Sequence, residues 1–221
     1  MKLHYISLFF FMRTISIFGD IPTVGDFVIA RLKYDGGGDW YSDASSLPNL
    51  LRFIRNNTLI KTFDQEVRLD LKDDDLFSYP YLYMTGHGNV TFDDIEIERI
   101  RLYIESGGFL HADDNYGMDA SFRREIGRAF PYNRWVELGP SHPIFQAHFV
   151  FPQGLPKIHE HDGKRSQLFG LYVKDRLSIV YSFQSDLGDG WEDSNVHNVS
   201  DKKRKSALRM GTNLVVWALS R

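Results

Sequence analysis

The stretch GGFLHADDNYG, residues 107–117, carries the clearest fold signal in the chain. Residues 109–112 are an apolar segment that follows two glycines, and this composition predicts a buried strand after a helix end. Asp113, Asp114 and Asn115 come directly after that strand. Ligands of open α/β sheets bind beyond the carboxyl ends of the strands, so the stretch predicts such a sheet with a candidate site at its edge.

Strand and helix signals alternate on both sides of this stretch. Strands are predicted at residues 27–32, 67–71, 79–85 and 109–112, and helices begin near residues 46, 91 and 118. Ser46 is a plausible N-cap with Pro48 in the first turn, and Thr91 with Asp94 resembles a capping box. Alternation with short connections indicates parallel strands joined by right-handed crossovers.

The rhythm weakens beyond residue 134 and returns near the C-terminus. Residues 168–173 and 177–183 flank a short turn and predict a hairpin, and a last helix is predicted at residues 202–219. We therefore expect an α/β, flavodoxin-like fold of three layers. Its open, mostly parallel sheet is covered on both faces and followed by a C-terminal hairpin and helix.

Composition limits the chemistry and the partners. The chain has 221 residues and 43% hydrophobic content, enough for one substantial core, and we expect a single domain at residues 26–221. Its 26 basic and 29 acidic residues give a formal charge of −3, which disfavours nucleic acid as a partner. The absence of cysteine excludes disulfides, thiolate metal sites and a cysteine nucleophile.

Residues 1–25 have a composition of their own. Lys2 precedes an apolar run at residues 5–12, which Arg13 interrupts. The run is too short to span a bilayer, and a positive start before an apolar run is the plan of a secretory signal. The segment is expected to be an export signal that places the protein in the periplasm or cell envelope, or else an N-terminal arm.

Four loops after predicted strands collect polar and aromatic residues that suit ligand binding. Because parallel strands deliver these loops to one edge, we expect them to form a common site. The ligand-binding candidates are Asp35, Asp39, Trp40, Asn89, Asn115, Asp186, Asp189 and Trp191. The loop at residues 185–193 also has the carboxylates that suit calcium or magnesium, although a simple acidic turn is the favoured interpretation.

The catalytic candidates are His87, His111, Asp113 and Asp114. His111 and Asp113 share one face of their strand, where the carboxylates could bind a divalent cation or hold a shared proton. Alternatively, Asp114 or Asn115 caps the next helix and Asp113 accepts backbone N–H bonds. His87 stands between two glycines, as a ligand or base or as part of a tight turn.

A divalent metal is a possible cofactor. His159 and His161, in the segment HEHD, are two residues apart, a spacing at which two imidazoles on a strand share one face. The sequence does not dictate the third ligand, and Asp113 is the candidate. An exposed loop that holds two histidines by chance is the alternative.

Seven segments together resemble the bacterial family called domain of unknown function 4159. They are RLKYDGGGDWY, SLPNLLRFIR, YLYMTGHGNV, LYIESGGFLHADDNYGMDASFRREI, HPIF, LPKIHEHDG and SDLGDGWED, and RMGTNLVVWAL closes the chain. The resemblance covers nearly everything from residue 27 onward. It implies a class I glutamine amidotransferase-like fold, shared with ThuA-like proteins, and a position behind an export signal. It implies no activity.

The resemblance also shows what is missing. In the amidotransferases a strand ends in an elbow with a nucleophilic cysteine, and residues 107–117 lie where that elbow would be. This chain has no cysteine, so the amidotransferase reaction is rejected. Three roles stay open: a module that binds a small ligand, a glycan or an envelope protein; a metal-assisted hydrolase; and a purely structural role for these motifs.

Overall fold

The computed structural model describes residues 26–220, so the predicted export segment, residues 1–25, lies outside the described part of the chain. Seven strands form one sheet: β1 (Ala30–Leu32), β2 (Val67–Leu69), β3 (Tyr81–Gly86), β4 (Phe109–Asp114), β5 (Trp135–Glu137), β6 (Gln167–Val173) and β7 (Arg176–Phe183). Five α-helices accompany it: α1 (Ser46–Asn57), α2 (Asp94–Glu105), α3 (Asp119–Ala129), α4 (Leu187–Trp191) and α5 (Asp201–Leu219).

The strand order confirms the predicted fold class. The order is β2-β1-β3-β4-β7-β6-β5, in which every neighbouring pair from β2 to β7 is parallel. The β7–β6 and β6–β5 pairs are antiparallel and extend the sheet at one side. The parallel part has the flavodoxin-like order, in which loops at the carboxyl ends of the strands surround the usual ligand position.

The register brings the ends of the central strands together. Thr85 of β3 pairs with Asp113 of β4, and Asp113 pairs with Ser182 of β7. The polar residues that follow these three strands therefore lie along the same edge of the sheet. This is the edge that residues 107–117 predict as the candidate site.

Two hydrophobic cores cover the two faces of the sheet, as alternation along a buried strand requires. Leu110 and Ala112 of β4 face one core, which includes apolar side chains of α2 and α3. Phe109 points to the other core, which includes apolar side chains of α1, α4 and α5. His111 and Asp113 follow the parity of Phe109, so they lie under α4, and this placement decides the floor of the site.

Two predicted helix starts differ from the observed ones. The capping box of α2 consists of Asp93 and Glu96 instead of Thr91 and Asp94. Thr91 instead pairs with Asp35 across a short bridge, which fixes the loop before the helix. Ser46 does not cap α1, because its hydroxyl accepts a hydrogen bond from Arg31 at 3.2 Å.

The predicted hairpin is confirmed. The turn between β6 and β7 places Lys174 and Asp175 at φ angles of 51° and 62°, the left-handed pair that a tight two-residue hairpin requires. Sequence patterns did not predict β5 as a strand, and they predicted β1 to be longer than its three residues. Among residues 26–220, no helix has the length and apolar character needed to cross a bilayer.

Candidate metal centre

The turn after β7 places two carboxylates side by side. Gln184 and Asp186 both have left-handed backbones, with φ angles of 59° and 60°, and the chain then turns into α4. Asp186 is the N-cap of this short helix and accepts a hydrogen bond from the Asp189 N–H. Residues three apart in a helical turn share a face, so the Asp186 and Asp189 side chains emerge together.

The HEHD segment lies against this turn. Ile158 and His159 donate backbone hydrogen bonds to the Ser185 carbonyl at 3.0 and 3.3 Å. His161 Nε2 is then 3.0 Å from an Asp186 carboxylate oxygen, and His159 Nδ1 is 2.7 Å from Asp189 Oδ2. The two imidazole centroids are 4.8 Å apart although the segment is irregular and not a strand.

The loop after β1 supplies a third carboxylate, Asp43. Arg31 is fully buried and donates to the backbone carbonyls of Ser42 and Asp43 at 2.8 and 3.1 Å, which fixes this loop. The Asn115 amide, at the end of β4, donates to Asp43 Oδ2 at 2.7 Å. Arg31 of β1 thus fixes the backbone of Asp43, and Asn115 after β4 fixes its carboxylate.

The segment after α4 completes the group with Glu192 and His197. Glu192 Oε1 accepts hydrogen bonds from the Ser45 N–H and hydroxyl at 3.0 and 3.2 Å, so its other oxygen is directed by this contact. His197 Nε2 is 3.0 Å from Glu192 Oε2 and 3.1 Å from Asp189 Oδ1. His197 therefore joins the same set of carboxylates from a fourth segment of the chain.

We call these residues the His–carboxylate cluster. Its members are Asp43, His159, His161, Asp186, Asp189, Glu192 and His197. All four carboxylate residues are at most 8% exposed. Three sets of three have potential ligand atoms within 4.8 Å of one another: His159, His161 and Asp186; Asp43, Glu192 and His197; Asp43, Asp186 and Asp189.

Buried negative charge is the dominant electrostatic feature of the cluster. Burial, with the charges of Asp189 and Glu192 as smaller causes, raises the pKa of Asp43 to about 6. Burial and repulsion by Asp189 raise the pKa of Asp186 to about 9. Among residues 26–220, neither lysine nor arginine forms an ion pair with any of the four carboxylates; histidines pair with Asp186, Asp189 and Glu192. The Arg31 guanidinium lies close enough to lower the pKa of Asp43, but less than burial raises it. The fold places these carboxylates close together and away from water, and a bound cation would neutralise the charge of their ionised forms.

Close packing under the cluster explains one glycine. Gly188, in α4, donates its N–H to Asp113 Oδ2 at 2.7 Å. A Cβ at position 188 would overlap the Asp43 carboxylate, so only glycine allows Asp43 to approach α4 this closely.

His111 and Asp113 form the floor of the cluster and do not reach its opening. Both are fully buried; Ser182 Oγ donates to Asp113 Oδ1 and is 2.9 Å from His111 Nε2. Burial lowers the pKa of His111 to about 3, which keeps the ring neutral, and burial raises the pKa of Asp113 well above its usual range. The Asp113 carboxylate accepts bonds from Ser182 and Gly188, so it is not the third ligand beside His159 and His161.

Three other predicted residues have structural contacts. Asp114 accepts backbone N–H bonds from Tyr116 and Met118 at 3.1 and 3.4 Å, close to the capping alternative. Asn115 is buried and supports Asp43 instead of facing a ligand. Trp191, predicted to bind ligand, is fully buried in the core, and its indole N–H donates to the Ala207 carbonyl at 2.8 Å.

The loops after β1 and β3 form a separate pair of contacts. His87 Nδ1 is 3.1 Å from Asp39 Oδ2. The Asn89 amide donates to the Gly36 carbonyl at 3.2 Å. Asp35 forms a bridge with Thr91, and Trp40 is partly buried against the first core. These candidates connect the two loops to each other and contribute none of the seven side chains of the cluster.

Comparison with protein families identifies a sequence family and no activity. The family described as Domain of unknown function (DUF4159) matches residues 28–219. The chain belongs to this family. No curated protein matches the chain. The cluster in this member of DUF4159 therefore has to be interpreted from its own geometry.

Sequence reasoning missed Asp43 and His197 as candidates. Asp43 lies just beyond the part of the β1 loop that the sequence singled out, and His197 stands alone between α4 and α5. Asp43 and Glu192 are 149 positions apart in the sequence. The only local signal is that Asp43 and Glu192 each lie after the end of a predicted strand. Many residues outside the cluster also lie in such a position.

Proposed function

We propose that this protein binds a divalent transition-metal ion at the carboxyl edge of its sheet, through His159, His161 and Asp186, and is a metal-dependent hydrolase. Two imidazoles and one carboxylate are a common ligand set for a catalytic metal, which keeps a further position for water or substrate. The ligand atoms of these three residues already lie within 4.8 Å of one another.

One observation carries the proposal: four buried carboxylates share one site, and none of them forms an ion pair with a lysine or arginine of the described residues. An ionised carboxylate away from water is stable only when it is paired or coordinates a metal. A histidine supplies positive charge only when it is protonated. A divalent ion supplies it and uses the same histidines as ligands.

The ligand chemistry favours zinc or a similar first-row metal over calcium or magnesium. Imidazole nitrogens suit zinc, iron, nickel and copper, whereas calcium and magnesium prefer oxygen ligands alone. The chain has no cysteine, so thiolate ligands play no part.

Access to solvent supports a reaction at the ion. The side chains of His159 and His197 are 49% and 31% exposed, while the carboxylates beneath them are buried. A bound metal lowers the pKa of a coordinated water and so supplies a nucleophile near neutral pH.

A binding module without turnover is the second candidate, and the end of β4 favours it. At the position of the amidotransferase elbow, the carboxylate of Asp113 is buried and fully used by Ser182 and Gly188. We propose in this case that the edge of the sheet binds a small ligand, glycan or protein of the cell envelope. We also propose that the chain is related to ThuA-like proteins and that it is exported.

Metal analysis tests the proposal first. The protein is purified without chelator or metal-affinity resin, and its metal content is measured by inductively coupled plasma mass spectrometry. We expect at least one ion per chain in the wild type and a lower metal content in Asp186→Asn. Removal by a chelator should lower the melting temperature, because an ion at 100 times its Kd stabilises by about 2.7 kcal/mol. The proposal would be rejected if the purified protein held no metal and if zinc, cobalt and manganese left its melting temperature unchanged.

Turnover then separates the two candidates. p-Nitrophenyl acetate, p-nitrophenyl phosphate and a chromogenic amide are incubated with the metal-loaded wild type, with Asp186→Asn and with His148→Ala. His148 contacts the Asn57 carbonyl and is not a member of the cluster, so it is the matched histidine control. Hydrolysis that is retained in His148→Ala and lost in Asp186→Asn supports the hydrolase. Bound metal without turnover of any class supports the binding module.

A further inference from the structure

The two oxygens of Asp189 face two different histidines. Asp189 Oδ2 is 2.7 Å from His159 Nδ1, and Asp189 Oδ1 is 3.1 Å from His197 Nε2. His159 belongs to the set proposed above, whereas His197 belongs to the set with Asp43 and Glu192. The Asp189 carboxylate thus lies between the two sets of ligands, with one oxygen directed to each.

The second set is held as firmly as the first. Ser45 fixes one oxygen of Glu192, which leaves Oε2 to face His197 at 3.0 Å. Asn115 fixes Asp43, and the potential ligand atoms of Asp43, Glu192 and His197 lie within 4.8 Å of one another. One imidazole and two carboxylates, from two segments of the chain, are thus held within reach of a single ion.

A buried hydroxyl next to the second set lacks a partner. Tyr83 is fully buried, and its hydroxyl forms no hydrogen bond of good geometry within residues 26–220, although the Thr85 side chain lies near it. A Cβ built on Gly188 would be 3.1 Å from Tyr83 Oη and would overlap Asp43, so the hydroxyl points to the region where Asp43 lies. Buried polar groups are normally satisfied, and a water bound to an ion beside Asp43 would satisfy this one.

We infer that the site is binuclear: Asp43, Glu192 and His197 hold a second divalent ion, and Asp189 bridges it to the ion held by His159, His161 and Asp186. This inference rests on the proposed function of the first set. Charge supports it, because bound cations favour the ionised carboxylates, and four of these balance two divalent ions. Carboxylate-bridged ions in two-metal hydrolytic sites are about 3.5–4 Å apart and clamp both oxygens of a displacement.

The number of bound ions tests the inference. Metal-free protein is titrated with Mn²⁺ and with Co²⁺, and bound metal is counted after gel filtration. We expect two ions per chain in the wild type and in His148→Ala, and one in His197→Ala and in Glu192→Gln. The amide oxygen that Glu192→Gln introduces can still accept the hydrogen bonds from Ser45, and His197 is partly exposed, so both variants retain the surrounding contacts. Circular dichroism checks that each variant is folded.

Electron paramagnetic resonance distinguishes a bridged pair from two independent ions. Two Mn²⁺ ions bridged by a carboxylate should give an exchange-coupled spectrum in the wild type and an isolated-ion spectrum in Glu192→Gln. One ion per chain in the wild type, unchanged in His197→Ala, would overturn the second ion and leave the proposed function standing. No bound ion in any variant would overturn both. Two uncoupled ions would overturn the Asp189 bridge.

Discussion

Two histidine–aspartate pairs of similar geometry lie on the same edge of the sheet and have different surroundings. His87 Nδ1 is 3.1 Å from Asp39, and His159 Nδ1 is 2.7 Å from Asp189. The histidine side chains are similarly exposed, at 54% and 49%, but the aspartates are 33% and 5% exposed. Sequence reasoning assigned both pairs to the candidate site, and only the second one belongs to the His–carboxylate cluster.

The comparison teaches that burial of the carboxylate separates a surface contact from a metal site. A solvated pair such as His87–Asp39 contributes at most about 1 kcal/mol and needs no further charge. Asp189 is buried beside Asp186 and near Asp43. An aspartate in these surroundings needs a cation to stabilise its ionised form. Matched substitutions in the His–carboxylate cluster and in the His87–Asp39 pair test this difference.

The largest difference is expected in metal affinity. Asp186→Asn retains the side-chain oxygen that caps α4, and asparagine tolerates the left-handed backbone at this position. It should still weaken metal binding at least about 100-fold, or about 2.8 kcal/mol, because it removes a charged ligand. Asp39→Asn should change the affinity less than about twofold. Isothermal titration calorimetry with zinc measures both, and equal losses in the two variants would contradict the distinction.

A smaller difference is expected for the supporting amides. Asn115 accepts from the Thr85 hydroxyl at 2.6 Å and donates to Asp43, all within the protein interior. Asn115→Ala should lower the free energy of unfolding by about 1–3 kcal/mol and metal affinity about 10-fold.

The matched change is Asn89→Ala on the His87 side, where the amide is exposed. It should cost less than about 0.5 kcal/mol and leave affinity unchanged. Urea denaturation and metal titration measure both variants. An affinity loss in Asn89→Ala as large as that in Asn115→Ala would show that both loops serve the site.

The last comparison concerns the pH dependence of the metal-free protein. The folded-state pKa of Asp186, about 9, exceeds its ordinary value of 3.8, so the folded state binds more protons between these values. Stability is therefore lost as the pH rises towards 9, by up to about 1.4 kcal/mol per pH unit. The pKa of His111 is lowered, to about 3, so its contribution is lost on acidification and is complete above pH 6.5.

Urea denaturation of the metal-free protein at pH 7, 8 and 9 isolates the Asp186 contribution. The wild type and Asp39→Asn should lose stability in parallel, and Asp186→Asn should show a flatter dependence. The loss should shrink in the presence of saturating metal, since the ion favours the ionised carboxylate. If the stability of Asp186→Asn depended on pH as steeply as that of the wild type, the proton responsible would be bound by another group.

Most of the fold could be predicted from the sequence. Residues 109–112 predicted β4, the alternation of segments predicted parallel strands, and the turn at residues 174–176 predicted the β6–β7 hairpin. Local periodicity and turn preference determine these features. β5 was missed because a three-residue strand on the sheet edge has too few side chains to show a period.

Much less of the site could be predicted. His159, His161, Asp186 and Asp189 were recognisable by residue type, but the sequence suggested Asp113 as a ligand and included Trp191 at the surface. Both are buried, because their parity on β4 and on the turn of α4 directs them into the second core. Asp43 and His197 join the cluster through contacts between distant segments, for which no local pattern exists.

The amino-acid order alone determined the sheet, the polar ends of its strands and the exclusion of a cysteine-based reaction, since these depend on neighbouring residues and on composition. The tertiary structure alone decided which polar residues meet and which of them lose contact with water. The loops after β1 and β7 meet although β3 and β4 separate these strands in the sheet, and the packing of α4 buries their carboxylates. Electrostatic energy depends on distance and burial, and both are properties of the folded chain.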